Sequence, residues 1–302
     1  MHSLLLMNRA FLPDRNELAM LAGYAARLRM FFGQLSYEHM ANDSASRFFG
    51  RGLEFEELRA YQHGDDIRTI DWRATARTGK AHVKKYREER QQVLMLMLEV
   101  RDSMLFGTGS TTKCAQAVRV AALLALAMRH GNDRAGALLW GDFGSLVIPP
   151  SSASVTLNRL LDALSGGFPS NAGDMDWSRH LDMMPRGRKL VFISDFIGWG
   201  SDDWHLMGRL RGRHEVCAVH ISDPREEAMP DIGLARITDV RGKDILLLDT
   251  GRKASRDAYA ALWQTHMDLL RQRFSDASVP LRCVSTRDDM AALAGDISSL
   301  IA

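Results

Sequence analysis

From Gln92 onward the chain alternates short apolar runs with segments whose apolar positions recur every three to four residues. Val93 to Glu99 (VLMLMLE) and Lys189 to Ser194 (KLVFIS) are near-continuous apolar runs of strand length, as expected for strands covered on both faces. Ala135 to Trp140, Leu146 to Ile148, Val216 to Ile221 and a stretch near 280–284 read as further strands. Lys113 to Arg129, Val155 to Leu164, a segment near 203–211 and Ala254 to Phe274 read as the helices between them, with a terminal helix from Asp288 to Ile301. Gly131 and Ser165-Gly166-Gly167 supply the small residues that end two of these helices. Ile237 to Val240 and Ile245 to Leu248 flank Arg241-Gly242-Lys243-Asp244, a hairpin pattern. Strands separated by crossover helices imply an α/β fold with a doubly wound, mostly parallel sheet.

Ahead of Gln92 the pattern differs. Asn16 to Phe32 carries an amphipathic helical stripe of Leu18, Leu21, Ala22, Ala25 and Leu28, with Asp14 as its cap and Glu17 three residues on. No period holds from Leu35 to Arg51. Short strands are expected near 53–58 and 81–86, with a turn at His63-Gly64-Asp65. Residues 1–90 therefore read as an N-terminal helix and an irregular, β-containing appended region packed on the core, and 91–302 as the α/β domain.

At 302 residues the chain can bury a substantial core, and 46% hydrophobic with 25% charged residues is the profile of a globular protein. Thirty-nine Lys and Arg against 37 Asp and Glu leave a net charge of +2, which supports neither a nucleic-acid binder nor a membrane-surface protein. Cys114, Cys217 and Cys283 are too sparse for a disulfide framework and read as buried thiols in a reducing compartment. The start, MHSLLLMNRAFLPDR, lacks the features of a secretory signal, and the apolar stretch from Ala115 to Met128 is interrupted by Arg119 and falls short of a span. A cytoplasmic location without membrane helices is the expectation.

Arg, Asp, Gly, Tyr and Trp crowd together between Arg47 and Met104. RGLEFEELRAYQHGDDIRTIDW (51–72), TARTGK (75–80), EER (88–90) and SMLFGT (103–108) resemble the family catalogued as domain of unknown function 58, in a short form. The resemblance implies a von Willebrand factor A-like fold, and a role as partner or adaptor of a MoxR-type AAA+ ATPase in protein assembly, maturation or stress response. The signature residues Arg59, Tyr61, Asp65, Arg68, Asp71, Trp72 and Arg77 are expected to build a scaffold, with Ile70 and Trp72 anchoring the segment on the core.

Von Willebrand A folds carry an Asp-x-Ser-x-Ser loop that, with a later Thr and Asp, holds Mg²⁺. A hard cation takes oxygen ligands and leaves one position for a partner's carboxylate. The matching residues here are Glu99, Arg101 and Ser103, with Asp195 as the later Asp and no matching Thr. Arg101 brings a fixed cation and no oxygen ligand. Two arrangements stay open. The guanidinium stands where the metal would, pairing with Glu99 or Asp195, or Asp102 or Asp174 rebuilds a shifted site with Glu99, Ser103 and Asp195. The first is preferred, so no metal or cofactor is expected, and Glu99, Arg101, Ser103 and Asp195 form a degenerate metal-ion-dependent adhesion site that serves as a partner surface.

Other motifs weigh less. FGTGSTTK (106–113) lies between a strand and a helix, but Thr112 precedes Lys113 and Cys114 follows, so the P-loop spacing fails and ATP binding is not expected. Asp65, Asp66 and Asp71 with His63 could serve a metal-dependent hydrolase, yet Arg59, Arg68, Arg73 and Arg77 are interleaved with them and make a structural network the simpler reading. Lys80, His82, Lys84, Lys85 and Arg87 form a basic run within 77–90, offset by Glu88 and Glu89 and with only Tyr86 to stack on a base, so nucleic acid is a weak alternative. No His-Glu-x-x-His or Gly-x-Ser-x-Gly occurs. A non-enzymatic interaction module is the expectation.

Overall fold

A computed structural model of the chain describes residues 12–26, 53–62, 70–88, 92–128, 133–141, 144–165, 177–238 and 245–298. The elements are α1 (15–26), β1 (Leu53–Ala60), α2 (Trp72–Thr78), β2 (His82–Glu88), β3 (Val93–Glu99), α3 (Lys113–Ala127), β4 (Arg134–Gly141), β5 (Gly144–Ser151), α4 (Ala153–Ser165) and α5 (Trp177–Asp182). They continue with β6 (Lys189–Ser194), α6 (Ser201–Arg211), β7 (Glu215–Ser222), α7 (Pro224–Glu227), β8 (Leu234–Thr238), β9 (Ile245–Asp249), α8 (Lys253–Asp276), β10 (Leu281–Ser285) and α9 (Met290–Ser298). None of the described helices is long and apolar enough to cross a membrane.

Two compact units emerge, His39–Gln91 and the remainder, Met1–Glu38 with Gln92–Ala302. The first helix thus belongs with the α/β unit and not with an appended region of 1–90. Leu12, Leu21 and Ala25 enter the α/β core, and Arg119 Nε on α3 pairs with Glu17 Oε1 at 2.5 Å. Asp14 caps α1 by accepting the Glu17 N–H at 2.7 Å.

In the α/β unit six strands run in the order β10-β7-β6-β3-β4-β5. All neighbours are parallel except β4 and β5, so β5 is an antiparallel edge. Period-two alternation sends each central strand's side chains to opposite cores. Leu94, Leu96 and Leu98 of β3 face one core with Val191 and Ile193 of β6, beside the buried residues of α3, α4 and α9. Met95 and Met97 face the other with Leu190 and Phe192, against α6 and α8. That double burial explains the continuous apolar runs. Counted along this sheet alone, the strand order is 3-2-1-4-5-6, and its direction reverses between β3 and β6. Ligands of doubly wound sheets sit at that switch point, outside the strands' carboxyl ends. Glu99 ends β3 there, and Asp195 follows β6.

Strands β8 and β9 form a separate antiparallel ribbon that leaves Leu234, Ile245, Leu246 and Leu247 exposed. The expected turn at 241–244 lies outside the described residues, as do Gly131, Gly166 and Gly167. Of the three cysteines, Cys114 is buried and Cys217 half-buried, and burial pushes both thiols up to about 12. Cys283 is exposed, contrary to the expectation of a buried thiol.

The described residues of the His39–Gln91 unit form an antiparallel pair, β1 with β2, and the short helix α2. Asp71 Oδ1 accepts the N–H groups of Arg73 (2.9 Å) and Ala74 (3.1 Å) and so caps α2. Gly79, at φ +70°, ends it, with Arg77 in the last turn where a cation suits the helix dipole. Trp72 is 68% exposed, contrary to the expectation of a buried anchor, and among the described residues of this unit the buried apolar side chains are Ala74 and Val83. Ile70 bridges to Val83 through its backbone. Tyr61 and Asp71 join the β2 segment through N–H bonds to Ala81 O and His82 O, and Arg59 Nη1 reaches Ala60 O at 3.3 Å. Asp65, Asp66 and Arg68 lie outside the described residues.

Candidate functional site at the strand ends

Glu99 is buried at 1% exposure. Its Oε2 accepts from the Ser194 hydroxyl and from Trp199 Nε1 at 2.9 Å. Its Oε1 lies 2.7 Å from Arg101 Nε, an ion pair without the alignment of a hydrogen bond. Burial raises the Glu99 pKa, while Arg101, Ser194 and Trp199 oppose the rise and the nearby Asp195 charge adds to it. Arg101 also donates from Nη1 to the Ile197 carbonyl at 3.4 Å. Gly198 lies beneath it at φ +80°, where a Cβ would come 3.3 Å from that Nη1. Ser103 contributes its backbone carbonyl, which accepts the Phe106 N–H, and its hydroxyl engages neither carboxylate.

Asp195 is met from the other side by Lys113. The ammonium Nζ lies 2.8 Å from Asp195 Oδ2 and 2.5 Å from Glu226 Oε1, and the lysine has no exposed surface. Lys113 is the first residue of α3, after Thr112, whose hydroxyl oxygen caps the helix by accepting the Ala115 N–H at 3.2 Å. A cation there opposes the helix dipole. The two carboxylates hold it in place. The backbone helps aim Asp195: its Oδ1 accepts the Ile197 N–H at 3.1 Å, and Phe196 takes a positive φ of 53°. That strained turn drops the Phe196 ring into an aromatic cluster, 4.9 Å from both Trp199 and Phe274.

A fourth carboxylate, Asp223, ties the loops together. Asp223 caps α7 by accepting the Arg225 N–H at 2.9 Å, and it accepts from Thr108 Oγ1 at 2.6 Å, Thr108 N at 3.1 Å and Thr286 Oγ1 at 2.7 Å. Burial pushes its pKa up, but these hydrogen bonds outweigh burial and hold it below the usual value. Glu226 closes the capping box: Oε2 accepts the Asp223 N–H at 2.9 Å while Oε1 receives Lys113. Burial raises the Glu226 pKa against the pull of Lys113. His220, beside Ser194 in the sheet, is buried with its Nδ1 unpartnered, and its ring lies parallel to Phe196 at 6.4 Å.

The structure therefore places Glu99 with Arg101, and Asp195 with Lys113 and Glu226. Sequence reasoning missed Lys113, Glu226, Asp223 and the Ser194–Trp199 pair that orients Glu99. One signal was available, since Asp223-Pro-Arg-Glu226 has the spacing of a capping box. In FGTGSTTK, Lys113 is turned inward onto carboxylates rather than outward to a phosphate, and Gly107 is fixed by crowding, since a Cβ there would lie 2.2 Å from Thr111 O. Asp102 lies on a 3₁₀ turn (Asp102–Leu105), and Asn171–Asp174 lie outside the described residues. At the strand ends the rim exposes Ile197 (43%), whose carbonyl accepts from Arg101, and Phe106 (41%), which closes the 3₁₀ turn that follows Arg101. Such a rim can pair a carboxylate through the guanidinium beside apolar contact.

A family model described as "Protein of unknown function DUF58" matches residues 57–269. The chain belongs to the DUF58 family. Among curated relatives it is similar to the uncharacterized proteins Rv1480 of Mycobacterium tuberculosis and Mb1516 of Mycobacterium bovis, each 28% identical over 249 residues, 80% of this chain and 78% of the relative. Among solved structures this DUF58 chain is similar to the conserved hypothetical protein BatB from Bacteroides thetaiotaomicron, at 13% identity and a TM-score of 0.42 over 69% of this chain and 98% of that one. An aerotolerance-related membrane protein from Bacteroides fragilis matches at 15% identity and a TM-score of 0.44, over 70% of this chain and 98% of that one. The SpRpn10 VWA domain matches at 11% identity and a TM-score of 0.39, over 68% of this chain and 94% of that one. The fold is α/β, with a mostly parallel sheet closed by one antiparallel edge.

Proposed function

We propose that this protein is a non-enzymatic interaction module, and that the strand-end surface around Arg101, Ile197 and Phe106 binds a AAA+ ATPase of the MoxR type, making the chain its partner or adaptor in protein assembly, maturation or stress response. The observation that carries the reading is the internal neutralisation of the strand-end carboxylates. Glu99 and Asp195 are each matched by a basic side chain of the same chain, while an arginine and two apolar side chains face outward. That is the composition of a protein-binding patch, with an Arg and an aromatic residue as anchors. The choice of ATPase rests on the family resemblance. The test is a pull-down from native lysate with the purified chain, run with Mg²⁺–ATP and again with EDTA. Recovery of a AAA+ ATPase supports the reading. Recovery of nucleic acid or of a single metabolic enzyme in its place sinks it.

A further inference from the structure

A von Willebrand A fold implies a divalent cation where β3 and β6 end, and the residues here do not fit one. Arg101 occupies a ligand position without an oxygen, and the Ser103 hydroxyl reaches neither carboxylate. The gap between Asp195 and Glu226 is filled by Lys113 Nζ, at 2.8 and 2.5 Å. We propose that Lys113 is a tethered internal cation that stands in place of a divalent ion, so that the site keeps its shape without metal. This goes beyond the choice of partner and holds whichever protein the surface binds.

Three observations converge on it. Lys113 is wholly buried, and a buried ammonium persists only where paired oxygens replace its water. It begins α3, the end of a helix least suited to a cation, so the carboxylates and not the helix fix its position. Its two partners come from separate segments, Asp195 after β6 and Glu226 on α7. One monovalent cation therefore joins α3, β6 and α7, the bridging work for which a metal ion would use several oxygen ligands. Two carboxylates about a single ammonium also leave the charge that a divalent ion would find if the lysine were withdrawn.

The test melts EDTA-treated full chain with and without millimolar Mn²⁺, for wild type, Lys113→Ala and Lys113→Ala/Asp195→Asn. The wild-type Tm is expected to ignore Mn²⁺. Lys113→Ala is expected to melt lower and to gain Tm saturably with Mn²⁺, and the double variant to lose that gain. A saturable, EDTA-reversible rise in wild type overturns the proposal, as does a folded Lys113→Ala that ignores Mn²⁺. If Lys113→Ala does not fold alone, it is refolded in Mn²⁺: recovery supports the internal-cation reading, and failure to recover overturns it.

Discussion

Lys113 Nζ lies 2.8 Å from Asp195 Oδ2 with neither side chain more than 2% exposed. Removing one partner of a buried pair leaves a charge without solvent or counter-ion, which costs about 3–5 kcal/mol, whereas removing all the charges together costs far less. Lys113→Ala is therefore expected to lose stability on that scale in urea denaturation. Lys113→Met/Asp195→Asn/Glu226→Gln, which keeps the volumes and the Asp195 backbone contact, is expected to recover most of it. Equal losses in the two variants would show that the ion pairing is not what stabilises this corner.

His220 makes stability depend on acid. Burial lowers its pKa from 6.5 to about 4; the Asp195 charge opposes the shift, and the Lys113 charge adds to it. Between those values the unfolded chain takes up a proton that the folded chain refuses. Stability therefore falls as the pH drops from 6.5 to about 4, by on the order of 3 kcal/mol. Glu99 and Glu226, raised by burial, have the opposite sign and lose stability as the pH rises through their window. His220→Phe keeps a ring against Phe196 and isolates the histidine. Urea denaturation across this range is expected to show the wild type losing more stability than the variant, and parallel curves would refute the assignment.

Asp223 joins the β3–α3 loop, β7 and the β10–α9 loop through Thr108 and Thr286. Asp223→Ala strips the Thr108 and Thr286 hydroxyls of their acceptor and α7 of its cap, at a cost of about 2 kcal/mol. Because its folded pKa is lowered, the stabilisation is present above the ordinary 3.8 and is lost as the pH falls through the folded value. Chemical denaturation at neutral pH checks the loss. Hydrogen exchange is expected to show faster opening at Thr108 and Thr286.

Asp71→Ala removes the α2 cap and is expected to cost about 1 kcal/mol. Exchange protection should fall at Arg73 and Ala74, the two N–H groups that the carboxylate accepts. Unchanged protection there would refute the cap as the role of this signature residue.

The sheet was legible because its strands are buried on both faces, which leaves seven successive apolar or strand-ending positions in β3 and a bounded run in β6. Glu99 and Asp195 were legible for the same reason: each follows such a run at the switch point. Lys113 was not, because a lysine in a Thr-rich loop reads as solvated until Asp195 and Glu226, 82 and 113 residues away, are brought to it. Trp72 misled in the other direction, since an indole beside a signature motif reads as an anchor, whereas it stands 68% exposed at the first position of α2. The helix α7 is only four residues long, too short to show a period.

The most direct test of the partner surface is the affinity of a purified MoxR-type ATPase for three forms of this chain, measured by biolayer interferometry in Mg²⁺–ATP: wild type, Arg101→Glu/Ile197→Asp, and Met183→Ser in the segment leading into β6. Loss of two central anchors is expected to weaken binding at least about 30-fold. Met183→Ser, which changes a side chain 73% exposed away from the strand ends, is expected to bind as wild type does. Wild-type affinity in the Arg101→Glu/Ile197→Asp form would contradict the assignment of the strand-end surface.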